Sequence, residues 1–352
     1  MSKNESSNSI VASGKRKLAI LIALGTVALF FIFLISLAFG PVSMTLGEVW
    51  EGISNIIANG EAQTGYERII LYLRLPRVLG AFTVGIGLAV AGVVFQAIIR
   101  NPLVDPYMTG VSSGSGFGAT MGMILAMGTL GAYAMVLIPV GAFIGGLVAF
   151  SMTFLISRGA GGRPIHFVLS GVITGMAFSS ITTMIMMVDD TKTHSILSFL
   201  FGSFTSVGWN NLWIMVVPVA LVSALIFFHA REFNVVLLGE EQARQLGLDV
   251  KRFNIYMLVA ASLLTAFCVC FVGVIAFIGL VVPHLARMIV GGDHRLLLPA
   301  SVMIGGLTMA TADLVAKLAF APVELPVGAI MTLIGVPFFA YLLLRRGREY
   351  AA

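Results

Sequence analysis

Apolar runs of about 20 residues recur along almost the whole chain, and this recurrence constrains the fold more than any other feature. A hydrocarbon layer roughly 30 Å thick takes about 20 helical residues to cross, and inside it backbone donors and acceptors must be satisfied within the segment. Ten runs can be marked, at 18–39, 78–99, 109–128, 133–157, 167–188, 211–230, 254–272, 274–290, 297–316 and 326–344. The 352 residues are 58% hydrophobic and 11% charged, with a mean hydropathy of +1.00, too little polar material to cover a water-soluble surface. A membrane barrel would show alternating segments of about 10 residues, and the sequence has none. The expectation is an all-α, polytopic membrane protein with about ten transmembrane helices.

An even number of spans puts both termini on one side. Of the 21 Lys and Arg, all but Arg68, Arg74, Arg77, Lys192 and Lys317 then fall on that side. The positive-inside tendency makes it the cytoplasmic one, in a chain that crosses the cytoplasmic (inner) membrane. The expected organisation is a tail at 1–17, a ten-span domain at 18–346 and a second tail at 347–352. The cluster Lys15-Arg16-Lys17 precedes a run too long for a signal-peptide core, so a retained first span is expected. The pI near 9.4 is accounted for by cations scattered at span ends, which suit membrane lipid and no nucleic acid. Cys268 and Cys270, two apart in one run, point in different directions on a helix and define no disulfide framework.

Two connections are long enough for structure of their own. In 41–77, "TLGEVWEGISNII" puts Val49, Ile53 and Ile56 or Ile57 on one helical face. In 231–253, Glu240 and Arg244 are spaced for an i,i+4 pair, with Gly247 as a stop. A short polar helix below the membrane is expected there. Its length exceeds what a connector needs and suggests a docking surface, where the plain alternative is a solvated helix.

Other motifs weigh against chemistry. "GVSSG" at 110–114 matches a hydrolase elbow but lacks the preceding strand and any tied histidine, so small-residue helix packing is the better reading. His166, His194, His229, His284 and His294 are dispersed and form no metal motif. His284 and Arg287, one turn apart, suit an inward-facing or a headgroup role equally. Eighteen methionines spread over many spans read as packing. No G-x-x-x-x-G-K-[ST] occurs, so any ATPase must be another subunit. Arg74 and Arg77 flank Pro76, and Lys317 precedes Ala321-Pro322-Val323-Glu324, on the side where cations are scarce. A carboxylate-bearing partner and lipid phosphate both fit them.

"LRLPRVLGAFTVGIGLAVAGVVFQAIIRNPLVDPYMTGVSSGSG", "LGEEQARQLGLDV", "FIGLVVPHLARMIVGGDHRLLLP" and "ELPVGAIMTLIGVPFFAYLLLRR" occur in this order. Together they resemble the permease subunits of type II ATP-binding cassette importers for iron–siderophore, haem and cobalamin, over residues 18–346. The resemblance implies ten spans and a homodimer or pseudo-dimer around a central pathway. It also implies two ATPase subunits that bind ATP and Mg, an extracytoplasmic substrate-binding protein, and no cofactor or metal in this chain. By motif, Arg74, Arg77 and Lys317 correspond to groups offered to glutamates of the binding protein, with Lys317 standing where arginine is usual. Asn101 and Leu103 fall at one cytoplasmic gate. Pro164 and Ile165 fall at the other, within an Arg163–His166 stretch that lacks the small hydroxyl residues of cobalamin importers. Gly239, Glu240, Glu241, Ala243, Arg244, Leu246 and Gly247 correspond to the segment that couples to the ATPase.

The expected function is therefore ATP-driven import of an iron–siderophore or related chelate, with no enzymatic activity in this chain. An ion-coupled secondary transporter would need a buried carboxylate, for which Asp313 is the one plausible acid within a span. An intramembrane enzyme would need a nucleophile–base or metal set that the sequence does not supply.

Overall fold

The computed structural model of the protein describes residues 3–127, 133–188 and 193–350. Residue 128 of the third expected span, Lys192, and residues 1–2 and 351–352 of the expected tails lie outside these. The described residues are helical, without strands. Each of the ten apolar runs is a helix, and seven helices are long and apolar enough to cross a bilayer. The start of α1 and the turn before α7 define the lower face of the bundle, and the opposite face is called upper.

Helix α1 (Lys3–Ala38) extends back through the residues expected as an N-terminal tail. Helix α2 (Leu46–Asn59) starts with a capping box in which the Thr45 side chain accepts from Glu48 N and the Glu48 carboxylate accepts from Thr45 N. Val49 is buried, and Ile53 and Ile56 pack beside it against Leu37 and Ala38 of α1, whereas Ile57 is 78% exposed. The buried face therefore runs through Ile56.

The second span begins earlier than its apolar run. Helix α3 (Gly65–Arg68), a π-helical turn at Ile69–Arg74 and α4 (Leu75–Ile99) are continuous. Pro76 lacks a donor, and its ring would meet the carbonyl four residues back in a regular helix. The widened turn before it relieves that clash. Helix α4 is the centre of the bundle, its apolar window 83% buried. Its glycines meet other backbones directly. A Cβ on Gly92 would lie 1.9 Å from the Gly279 carbonyl oxygen, and one on Gly85 would lie 2.2 Å from that of Gly305. Without a hydrophobic drive between helices in lipid, such close approach is how spans associate.

Helix α5 (Val111–Met127) packs on α6 (Ala134–Gly159) in the same manner, through Gly114, Gly118 and Gly122 against Gly145, Gly141 and Leu137. Helices α7 (Pro164–Val188), α8 (Thr193–Phe201) and α9 (Trp209–Phe228) follow. The lower connection holds α10 (Ala230–Leu237) and α11 (Glu240–Gln245) before α12 (Val250–Val272). After a break at 273–277, α13 (Ile278–Val290), only 13 residues long, leads to α14 (His294–Leu318) and α15 (Val327–Tyr350).

Candidate functional site

Arg74, Arg77 and Lys317 do converge at the upper end, but all three are buried and committed within the chain. Helix α1 ends inside protein, so its last carbonyls need donors. The Arg74 guanidinium supplies them to Leu37 O, Ala38 O and Val42 O, and Lys317 Nζ donates to Ser36 O at 2.7 Å. Positive charge is favourable at a helix C-terminus, so both cations cap α1. Arg77 lies three residues from Arg74 and turns toward α14. Its Nε and Nη2 bind the Asp313 carboxylate at 2.9–3.1 Å, and its Nη1 binds Glu324 at 2.8 Å. Within the single chain, these three cations are met by acceptors of the chain itself. They hold α1, α4, α14 and the loop before α15 together. The same pairing occupies Asp313, the acid that an ion-coupled transporter would need. The exposed guanidinium on this face among the described residues is Arg68, with Trp50 (71%), Tyr66 and Tyr72 exposed nearby in sequence.

The lower face is built differently. Gly239 (φ +116°) and Gly247 (φ +86°) take up backbone angles that favour glycine, and they bracket α11. Gly247 N donates to Arg244 O and Leu248 N to Ala243 O, which ends the helix at the expected stop. Ala243 is buried as the foot of α11. Glu240, Glu241, Arg244 and Leu246 are exposed, Leu246 by 65%, and Glu240 and Arg244 pair at 2.8 Å. Arg100, in the left-handed region at φ +54°, ends α4 and donates to Val236 O at 3.0 Å, tying α4 to α10. Of the gate candidates, Asn101 is exposed and its Oδ1 accepts from Leu103 N, while Leu103 is half-buried. Pro164 and Ile165 are exposed at the start of α7. Arg100 and Pro164 line a common cavity with Glu240, so the neighbourhoods of the gate candidates meet α11 there. Beside it, Asn234 and Arg295 both bind Asp293, and the Arg295 hydrogen bonds hold the Asp293 carboxyl down at about 2.

Between the faces, the break at 273–277 frees backbone donors at a depth where water is scarce. Ile275 N donates to Tyr107 Oη at 3.0 Å and Phe277 N to Asp105 Oδ2 at 3.2 Å, both acceptors coming from the turn after α4. Val274 N donates to Phe199 O at 3.1 Å. A cavity of about 640 Å³ opens beside this break, walled by α8 and α15 through Phe201, Val274, Ala276, Gly328, Thr332 and Val336.

Ser112 Oγ is buried without a partner and Gly110 (φ +80°) only turns the chain into α5. The described His, Cys, Asp and Glu form no group of three able to hold a metal. His294 Nδ1 lies 2.8 Å from Asn234 Oδ1, and the ring stacks on Phe233.

The sequence pattern of the FecCD transport family matches residues 28–345. The chain belongs to this family. Over 285 residues it is 39% identical to the cobalamin import system permease protein BtuC of Halobacterium salinarum, covering 81% of this chain and 75% of that one. It is 35% identical to the Fe(3+) dicitrate transport system permease protein FecD of Escherichia coli, covering 80% and 88%. A solved structure described as an inward-facing conformation of a metal-chelate type ABC transporter superposes with a TM-score of 0.80 at 31% identity, covering 93% and 99%. As a FecCD member the chain is a multi-pass membrane permease of the ABC importer type, a transport subunit and not a catalytic one. Sequence reasoning on this FecCD chain missed Asp105, Tyr107 and Arg68. The first two sit in the segment between α4 and α5, and only the fold brings them to residues 275 and 277.

Proposed function

We propose that this permease moves an iron–siderophore or a related metal chelate, haem or cobalamin, into the cytoplasm, driven by ATP hydrolysed in partner subunits. The observation that carries the reading is α11, a short helix held off the lower face between two glycines, with Leu246 exposed at its end. Exposed at the end of a short helix between two glycines, Leu246 with Glu240, Glu241 and Arg244 suits the cleft of an ATPase that binds ATP and Mg. The chain has no P-loop, so the nucleotide belongs to that partner. The lower face is then cytoplasmic, with both termini on it, in the inner membrane. Two copies, or this chain and a related permease, enclose a pathway walled by apolar and small residues such as those of the 640 Å³ cavity. Such walls bind a large chelate weakly and leave recognition to an extracytoplasmic binding protein. That protein meets the upper face at Arg68 and the aromatic side chains, on a rim whose shape Arg74, Arg77 and Lys317 hold. Asn101 and Leu103 with Pro164 and Ile165 form the cytoplasmic gates, moved through Gly239–Gly247. The test is uptake of radiolabelled ferric chelate and cobalamin by vesicles reconstituted with the permease, its ATPase and its binding protein. Uptake that needs all three supports the reading, and gradient-driven uptake by the permease alone overturns it.

A further inference from the structure

The lower-face cavity that Arg100, Pro164 and Glu240 line, of about 600 Å³, opens between the end of α4, the α6–α7 turn and the start of α12. Arg100, Arg158, Arg163 and Lys251 all line it. The turn that joins α6 to α7 makes this convergence. Gly161 N donates to Arg158 O and Gly162 N to Ser157 O, which brings Arg158 and Arg163 to one wall. Glu240 is the carboxylate that lines the same cavity, and Arg244 already holds it at 2.8 Å. Arg158, Arg163 and Lys251 have no carboxylate within ion-pair distance among the described residues. Elsewhere on this face Arg244, Arg252 and Arg295 each hold one. Like charges gathered around an indentation repel unless an anion joins them.

The cavity floor is apolar, formed by Phe154, Phe167 and Leu258. Outward from it, Leu155 (66%) and Ile156 of α6, with Tyr256 and Val259 of α12, are exposed large side chains on membrane helices. A small inorganic anion has no use for such a floor. A phospholipid uses both parts, because its headgroup phosphate meets the cations while its acyl chains follow the apolar helix faces. Basic pockets between spans on the cytoplasmic side suit anionic headgroups.

We propose that this cavity is a binding site for an anionic phospholipid, with the phosphate between Arg158, Arg163 and Lys251. The site joins the segment before α7 to the start of α12 and touches Glu240 of α11. It is independent of which chelate is carried, and its occupancy is measurable without transport.

The experiment is native mass spectrometry of the purified full-length chain, taken from membranes holding equal phosphatidylglycerol and phosphatidylcholine. The wild type is expected to retain phosphatidylglycerol at least about tenfold over phosphatidylcholine, as three cations near a headgroup permit. R158E/R163E/K251E is expected to lose that preference, and K15E/R16E, which removes cations from the same face outside the cavity, to keep it. If the triple variant does not fold, R158Q/R163Q is measured for loss of the phosphatidylglycerol-dependent rise in Tm. Equal retention of both lipids by the wild type overturns the proposal, as does equal loss of preference in K15E/R16E. Displacement of the lipid by inorganic phosphate would assign the site to a free anion and overturn it too. Absence of any lipid preference, with ATPase co-purification lost in the triple variant, would make the cavity a protein-docking pocket instead.

Discussion

The two ends of the bundle both gather positive charge, and they use it in opposite ways. At the upper end, Arg74, Arg77 and Lys317 are buried, and every one of them donates to groups of the same chain. At the lower end, Arg158, Arg163 and Lys251 are exposed and bind nothing within the described residues. Charge that the fold consumes is structural, and charge it leaves over is available for partners. Residue type does not separate the two cases. Burial and the presence of an acceptor do.

The comparison breaks most decisively at Arg77. Arg77→Ala leaves Asp313 as a buried unpaired carboxylate, a loss of about 3–5 kcal/mol. Thermal unfolding in detergent should show a sharply lowered Tm. Arg158→Ala, by contrast, should shift the Tm of delipidated protein within experimental scatter, since exposed unpaired cations contribute little. Equal Tm losses for the two would erase the distinction. It is sharpened by Arg74→Glu with Arg77→Glu, which should lower stability or expression before any change in binding-protein affinity. Wild-type stability with weakened, salt-sensitive docking would return these arginines to a partner-facing role.

A smaller effect is expected at α11. Leu246→Asp should lower recovery of the ATPase by about tenfold, the loss of roughly 1.4 kcal/mol from an exposed apolar contact, with Tm unchanged. Recovery equal to wild type would detach α11 from the ATPase.

The smallest effect concerns Asp293. Its carboxyl is held at about 2, below the ordinary carboxylate value near 3.9, so its contribution is complete above about pH 4 and fades as pH falls toward 2. Wild-type Tm should drop over that window, and Asp293→Asn should drop less steeply. Parallel curves would show that the Asn234–Asp293–Arg295 cluster adds no pH-dependent stability.

The ten apolar helices were readable in the sequence because an apolar run of bilayer length has few other uses. The start of the second span was not, since Arg68, Arg74 and Arg77 interrupt the apolar pattern of a helix that in fact runs from Gly65. The stop at Gly247 was local and therefore legible. The pairing of Arg77 with Asp313 joins positions 236 apart, and no local pattern announces it. The small residues at 110–114 signalled close packing, but the sequence does not say which backbone Gly114 meets. At the candidate site α11 was legible as a helix from spacing and stop. The burial of the upper cations was not, because a guanidinium offered outward and one capping a buried helix end share the same sequence.

Asp105 and Tyr107 accept from the backbone of residues 277 and 275, so the partner of these two side chains is main chain and does not depend on which side chains stand there. A chimera that takes 273–290 from a relative should therefore assemble while residues 105–107 stay, provided no proline falls at 275 or 277. The constraint on inheritance lies on one side of the contact alone.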